Sequence, residues 1–384
     1  MIFQTFSLLF ILAFCKTSFC QNSLQGVATS DFRVKEWNRS NGLSLPKKNV
    51  MLKDVKGFLW IISPVGLNRF DGSTFKIFHP DKTAPGSIAG SYSFSLVEDS
   101  LHNIWVGTNK GLSRYDIKAD TFSNFSPEIL SVTSVATVVP FWATTDEVYC
   151  MEAGYQLTVY NIHSFKKKIV AQLDKAATAG KHATIPHSVY DARSNSIWII
   201  SGKPDVPGGG LLQVSLTDHQ TILHEWSCYH SIKNHAHYAY GMRYDSTRYS
   251  IWVNTVDGLL EFTLSDKKFR SINACNDLFP INNYEVVAGI DLDKTGKILL
   301  YTSAKGLLVY DPVTKNAGPL FKDPEMQIKL SDDNMSIYND PDGMIWLGTL
   351  SSSSVRQLMP FSSAASLVRL TTDKKRSVIS IVQG

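Results

Sequence analysis

The sequence predicts an all-β fold, a seven-bladed β-propeller with four antiparallel strands per blade. Three observations carry this: a repeated strand–turn–strand unit, its near-constant spacing, and one bulky residue at the same place in each copy. Residues 50–71 read VMLKDVKGFLWIISPVGLNRFD and residues 94–116 read FSLVEDSLHNIWVGTNKGLSRYD. Both run from an apolar strand through Asp and a short polar turn to a Trp-centred strand, then Gly-Leu-x-Arg-aromatic-Asp. The grammar returns at 148–162, 189–200, 242–264, 290–311 and 337–349. With Trp60, Trp105, Tyr149, Trp198, Trp252, Leu299 and Trp346 as landmarks, successive gaps are 45, 44, 49, 54, 47 and 47 residues. A period of this size suits a four-stranded blade and is far too long for a β-helix coil.

Each element follows from the cleanest copy. Residues 93–98 form the innermost strand, 99–103 a polar turn and 104–108 the second strand. Residues 109–111 make a tight turn whose Gly111 tolerates positive φ. Residues 112–117 form the third strand and 122–125 the fourth. Ile104, Trp105 and Val106 are apolar in succession, as in a strand covered on both faces. Five of the eight Trp residues (Trp60, Trp105, Trp198, Trp252 and Trp346) occupy the landmark, where each wedges adjacent blades apart. They are structural. The repeated Asp54, Asp99, Asp191, Asp245 and Asp293 are side-chain acceptors for turn amides. Helix-period hydrophobicity is absent beyond the N-terminus, which disfavours an α/β fold. For ring closure there are two candidates. Residues 32–36 lie where a preceding blade's fourth strand would be, and residues 366–370 follow the last third strand in the ordinary way.

Composition bounds function. Basic residues number 38 against 34 acidic, a net charge of +4, too even to expect nucleic acid. Leu8 to Phe14 form an apolar run long enough for a signal peptide and too short to span a bilayer. Residues 1–20 are therefore expected to direct export, with a cut before Gln21. A lipid-anchored cysteine is the lesser alternative, since Cys15 and Cys20 each follow a Phe. Beyond the signal, Cys150, Cys228 and Cys275 are odd in number and match no redox or zinc spacing, so three independent thiols are expected.

The pattern resembles the two-component-regulator propeller repeat. It is carried by Asp54, Gly57, Trp60, Gly66, Leu67, Arg69, Phe70 and Asp71, and by Asp99, Trp105, Gly107, Thr108, Gly111, Leu112, Arg114, Tyr115 and Asp116. Asp342, Gly343, Trp346, Gly348 and Thr349 match in part, and Asn41-Gly42-Leu43-Ser44-Leu45-Pro46 looks like that family's entry into its first blade. The resemblance implies the N-terminal periplasmic propeller of a hybrid two-component sensor. Its long members carry two propellers, a transmembrane helix, a histidine kinase and a receiver, and sense oligosaccharides. This chain has one propeller's worth of repeats, over 31–370, with no membrane span and no kinase segment. Residues 371–384 look like the start of a truncated further repeat.

Ligand sites are expected on the rim shared by second-to-third-strand turns and inter-blade connections, where loops can vary while strands cannot. Residues 226–243, WSCYHSIKNHAHYAYGMR, offer Trp226, Tyr229, Tyr238 and Tyr240 for stacking on sugar rings and Arg243 for hydroxyls or carboxylates. His230, His235 and His237 enrich the same segment, but no carboxylate orients them and no metal site is expected. Trp142 lies outside the landmark register and is a second candidate. Residues 202–210, GKPDVPGGG, read as a longer turn, because no phosphate-binding Lys-Ser/Thr follows the glycines. No HExxH, GxSxG or Walker loop is present, so no catalytic residue and no cofactor is expected. The expected function is a periplasmic or secreted ligand-sensing propeller that binds an oligosaccharide without chemistry. Its partners would be a second propeller or the rest of a sensor kinase. The alternatives are a propeller lyase-like enzyme using the His cluster, or an inert scaffold left by a truncated gene.

Overall fold

In the computed structural model, described for residues 27–28, 32–44, 50–91, 93–125, 138–152, 156–172, 188–201, 210–225, 239–255, 258–272, 287–302, 306–331, 334–349 and 353–360, seven antiparallel sheets form the blades of a propeller. Blade 1 comprises Met51–Lys53, Leu59–Ser63, Gly66–Phe70 and Phe75–Phe78. Blade 2 comprises Ser93–Glu98, Ile104–Thr108, Gly111–Asp116 and Thr121–Phe125, within a residue or two of the sequence expectation. Blade 3 runs from Val138–Ala143 to Lys167–Gln172, blade 4 from Ser188–Asp191 to Thr221–Glu225 and blade 5 from Ala239–Asp245 to Lys268–Ser271. Blade 6 runs from Val287–Leu292 to Asn316–Pro319.

Blade 7 is composite. Asn334–Asn339, Ile345–Thr349 and Val355–Pro360 supply its three inner strands, and Phe32–Trp37 from the other end of the chain pairs antiparallel with Val355–Pro360. Val27–Ala28 adds a short fifth strand. Of the two sequence candidates for closure, the N-terminal strand is thus the one seen in place, and residues 366–370 lie outside those described. Trp37 fixes the clasp by donating its indole N–H to Gln357 Oε1 at 3.1 Å.

The core is divided into seven buried clusters, one per junction between neighbouring blades. Trp105 packs with Val138, Val148, Cys150 and Tyr160 of blade 3, and Trp346 with Leu59, Ile61 and Phe70 of blade 1. All seven landmark residues are buried, including the two that are not Trp, Tyr149 and Leu299. Register explains the arrangement. Directly opposed residues in an antiparallel pair share a face, so each landmark is the second member of a row of four across its blade, all turned toward the next blade. The row is Leu52-Trp60-Arg69-Lys76 in blade 1, and Arg243-Trp252-Glu261-Arg270 in blade 5. In these two blades the outer members are polar, where the blades splay apart and water enters.

The repeated Asp residues cap the first turn as expected. Asp54 Oδ1 accepts from the amides of Lys56 and Phe58, and Asp293 Oδ1 from those of Thr295 and Lys297. Their second oxygen has a use the sequence reading missed. It accepts the landmark indole N–H, from Trp60 to Asp54 at 2.8 Å, Trp105 to Asp99 at 2.7 Å and Trp252 to Asp245 at 3.4 Å. In blade 7 the same place is held by Asp340, not by Asp342 as the motif match had it, and Asp340 accepts from Trp346 at 3.0 Å and from the amides of Asp342 and Met344. One carboxylate thus ties turn and wedge together, leaving no buried indole donor unpaired in four of the five cases.

An α-helix, Pro324–Ser331, interrupts the connection between blades 6 and 7. Its Gln327 donates from Nε2 to Leu307 O at 2.7 Å, and Met326 and Leu330 enter the junction core. Eight residues with two inward apolar side chains are too few for a legible helical period.

Candidate functional site

Two kinds of rim follow from the strand order. One carries the second-to-third-strand turns and the inter-blade connections, the other the Asp-capped first turns and the third-to-fourth-strand turns. Of the sequence candidates, Trp226, Tyr229, His230, His235, His237 and Tyr238 lie outside the described residues. Tyr240 lies in the innermost strand of blade 5, at a register shift between Ala239 and Gly241. Such a β-bulge leaves one residue without a cross-strand partner.

Trp142 and Arg243 are fully placed, and they occupy equivalent positions. Trp142 pairs with the landmark Tyr149, and Arg243 with the landmark Trp252. Each is the innermost member of its row, at the end of its strand next to the first turn. Trp142 stacks on Tyr190 of blade 4, with ring centroids 4.5 Å apart and planes inclined by 25°. Its indole N–H is buried without a hydrogen-bond partner. Arg243 donates from Nε to Asp291 Oδ1 at 2.8 Å and from Nη1 to its neighbour's carbonyl, Met242 O. Its side chain remains 37% exposed, so part of the guanidinium faces solvent.

Arg243 belongs to a chain of polar contacts that runs along the first-turn rim. The other oxygen of Asp291 accepts the Asn339 amide of blade 7 at 2.7 Å, so one carboxylate holds blades 5, 6 and 7. Arg248 Nη1 reaches Gly296 O in the turn of blade 6, and Arg193 Nη2 reaches Ser246 O in the turn of blade 5. A Cβ on Gly296 would lie 2.8 Å from Arg248 Nη1, so glycine there leaves room for the guanidinium as well as allowing φ of +78°. At the closure junction Tyr338 accepts the Lys53 amide, while Lys53 Nζ binds Asp340 at 3.0 Å and also Asp342. Burial works against the Lys53 charge, but the two carboxylates outweigh it and raise its pKa. Burial pushes the Tyr338 phenol up to about 12.

Blade 4 departs from the pattern. Trp198 Nε1 has no partner, because Asp191 is turned to other donors: the Ser194 hydroxyl at 2.6 Å and the phenols of Tyr244 and Tyr249 at 3.1 and 3.0 Å. Burial alone would raise the Asp191 pKa; these hydrogen bonds hold it below the ordinary value. Lys267 Nζ sits 4.5 Å over the Trp198 ring, its pKa lowered by burial. His224 lies between Trp198 and Phe262, and burial, followed by the Lys267 charge, lowers its pKa. Among the described residues no group of three or more His, Cys, Asp or Glu side chains is placed to hold a metal ion. Cys150 is a free, buried thiol whose pKa burial drives well up.

The fold has relatives among solved structures. The chain is similar to an extracellular domain assigned to a one component system of B. thetaiotaomicron (19% identity, TM-score 0.63, covering 88% of this chain and 40% of that one). It is similar to the extracellular domain assigned to a hybrid two component system of the same organism (18%, TM-score 0.62, 85% and 42%). PorZ, a surface component of the type-IX secretion system of Porphyromonas gingivalis, also aligns (12%, TM-score 0.56, 85% and 45%). The chain therefore spans less than half the length of these structures. No protein-family model and no curated protein matches the sequence. The shared property is the propeller fold, in neighbours that work outside the cytoplasmic membrane in signalling or at the cell surface.

Proposed function

We propose that this chain is the extracytoplasmic sensory propeller of a two-component signalling protein, that it recognises an oligosaccharide, and that it transmits binding to a kinase without catalysing a reaction. The observation that supports this most directly is the two-copy repeat motif of blades 1 and 2, folded into a propeller like those of two extracellular sensor domains. Export by residues 1–20 and a periplasmic location belong to the same reading. Aromatic rings with a polar tip, such as Trp226 and Tyr240, suit a ligand that presents both an apolar ring face and hydroxyls. Isothermal titration of the folded protein with an array-selected oligosaccharide tests the proposal. Binding should be saturable and should weaken about tenfold or more in Trp226→Ala. A folded sample that binds no oligosaccharide of the array overturns it.

The likeness to PorZ supports a second reading, a cell-surface scaffold that binds protein rather than glycan. It predicts an empty glycan array together with a stable protein complex at the cell surface.

A further inference from the structure

The outer strand of a blade presents unpaired backbone N–H and C=O groups to its surroundings, an invitation to pairing that proteins normally block. Six of the seven blades have a visible block. Blade 1 carries Lys76 on its outer strand, blade 3 Lys167 and Lys168, and blade 5 Lys268 and Arg270. Blade 6 ends its outer strand in Pro319. In blade 2 the outward N–H of Phe122 is taken by Gly86 O at 2.8 Å, from the connection lying over it. Blade 7 is covered by Val27–Ala28, a two-residue strand too short to template another.

Among the described residues, blade 4 has none of these devices. Its outer strand, Thr221–Glu225, reads TILHE, without Lys, Arg or Pro. Ile222 is 54% exposed and Leu223 36%. The strand is nonetheless held in place, because it pairs with Gly210–Ser215 along its length and His224 is anchored between Trp198 and Phe262. Its orientation can be read from the turn. The Ser215 amide donates to Gln220 O, so alternation turns the backbone groups of Ile222 and His224 inward and those of Thr221, Leu223 and Glu225 outward. Glu225 is exposed, and no ion pair is formed by it among the described residues.

We propose that the outer edge of blade 4 is a docking site for an extended segment of a separate polypeptide, which adds a fifth strand to this blade. The occupant is defined by what it must satisfy. It supplies backbone groups to Thr221, Leu223 and Glu225, aliphatic side chains beside Ile222 and Leu223, and a Lys or Arg beside Glu225. Strand addition draws its affinity from main-chain bonds and its selectivity from alternate side chains.

The experiment uses the full chain and a synthetic peptide of alternating valine and threonine flanked by lysines, with a second peptide carrying proline at its centre. Fluorescence anisotropy should show binding of the first peptide and not the second. Amide exchange should slow at Thr221, Leu223 and Glu225 on binding and remain unchanged at Ile222 and His224. Ile222→Lys gives blade 4 the guard its neighbours have; it should weaken the peptide about tenfold or more while leaving the melting temperature within about 2 °C, as for other exposed substitutions. Leu223→Lys supplies an independent variant should the first misfold. Absence of peptide binding, equal binding by wild type and both variants, or protection elsewhere would each overturn the proposal. So would sedimentation showing a wild-type dimer that Ile222→Lys abolishes, since the occupant would then be a second copy of this chain.

Discussion

Asp99 receives four donors: the amides of Leu101 and Asn103, the Asn103 side chain, and the Trp105 indole. A buried carboxylate with this many partners is costly to lose, because every donor is orphaned at once. Asp99→Ala should lower stability by about 2–3 kcal/mol in urea unfolding, and Trp105→Ala by about 3–5 kcal/mol, since it leaves a cavity between blades 2 and 3. The two substitutions share a bond, so their combined effect should fall short of the sum. The Trp landmark was legible in the sequence because an indole recurs at fixed spacing. Its bond to Asp was not, since turn amides already account for the Asp and the indole contact needs the strand register. Trp142 illustrates a different limit. It breaks the spacing rule and so stood out as a ligand candidate, yet register makes it the innermost residue of a packing row, the position that Leu52 holds in blade 1 and Arg243 in blade 5.

At the scale of the element, the junctions are built from one template with different chemistry. Arg69 lies 4.6 Å from the Phe58 ring centroid and donates to the Tyr115 hydroxyl of blade 2 at 2.7 Å, while Lys76 bridges to Asp120. Exposed pairs of this kind are individually weak, so Lys76→Ala should change stability by no more than about 0.5 kcal/mol in the same urea assay. The junction of blades 4 and 5 is sensitive to acid instead. Burial of His224 lowers its folded-state pKa, so the unfolded chain, near 6.5, takes up the proton first. Stability is therefore full above the unfolded value and declines as pH falls through it toward the folded value. Melting curves should show this decline in wild type and a smaller one in His224→Phe, measured between pH 8 and pH 5. An equal decline in both would place the acid sensitivity elsewhere. The helix Pro324–Ser331 was hidden in the sequence for the opposite reason from the strands: the repeat that makes strands readable stops at the connections, where nothing recurs.

At the scale of the molecule, seven similar units leave a ring that must be closed by something. Phe32–Trp37 does so by completing blade 7 beside Val355–Pro360. The sequence allowed two candidates because either short stretch alternates acceptably, and only pairing distinguishes them. Removing residues 1–37 should take away the fourth strand of blade 7 and expose Val355 and Leu358, both fully buried in the intact chain. The melting temperature should drop by about 10 °C or more, with broadened transitions, and calorimetry is the measurement. A fall of only a degree or two would mean that another segment can take the strand's place.

The clasp also has a temporal meaning. Trp37 and Gln357 are bonded across 320 positions of chain, so a strand made well before the rest of blade 7 must wait for its partner. Until synthesis has passed Pro360, the face of blade 1 that carries Leu59, Ile61 and Phe70 has no blade 7 to cover it. Slow, long-range closure of this sort leaves sticky surface on view during biogenesis, and a helper that shields nascent chains would act most usefully on that face.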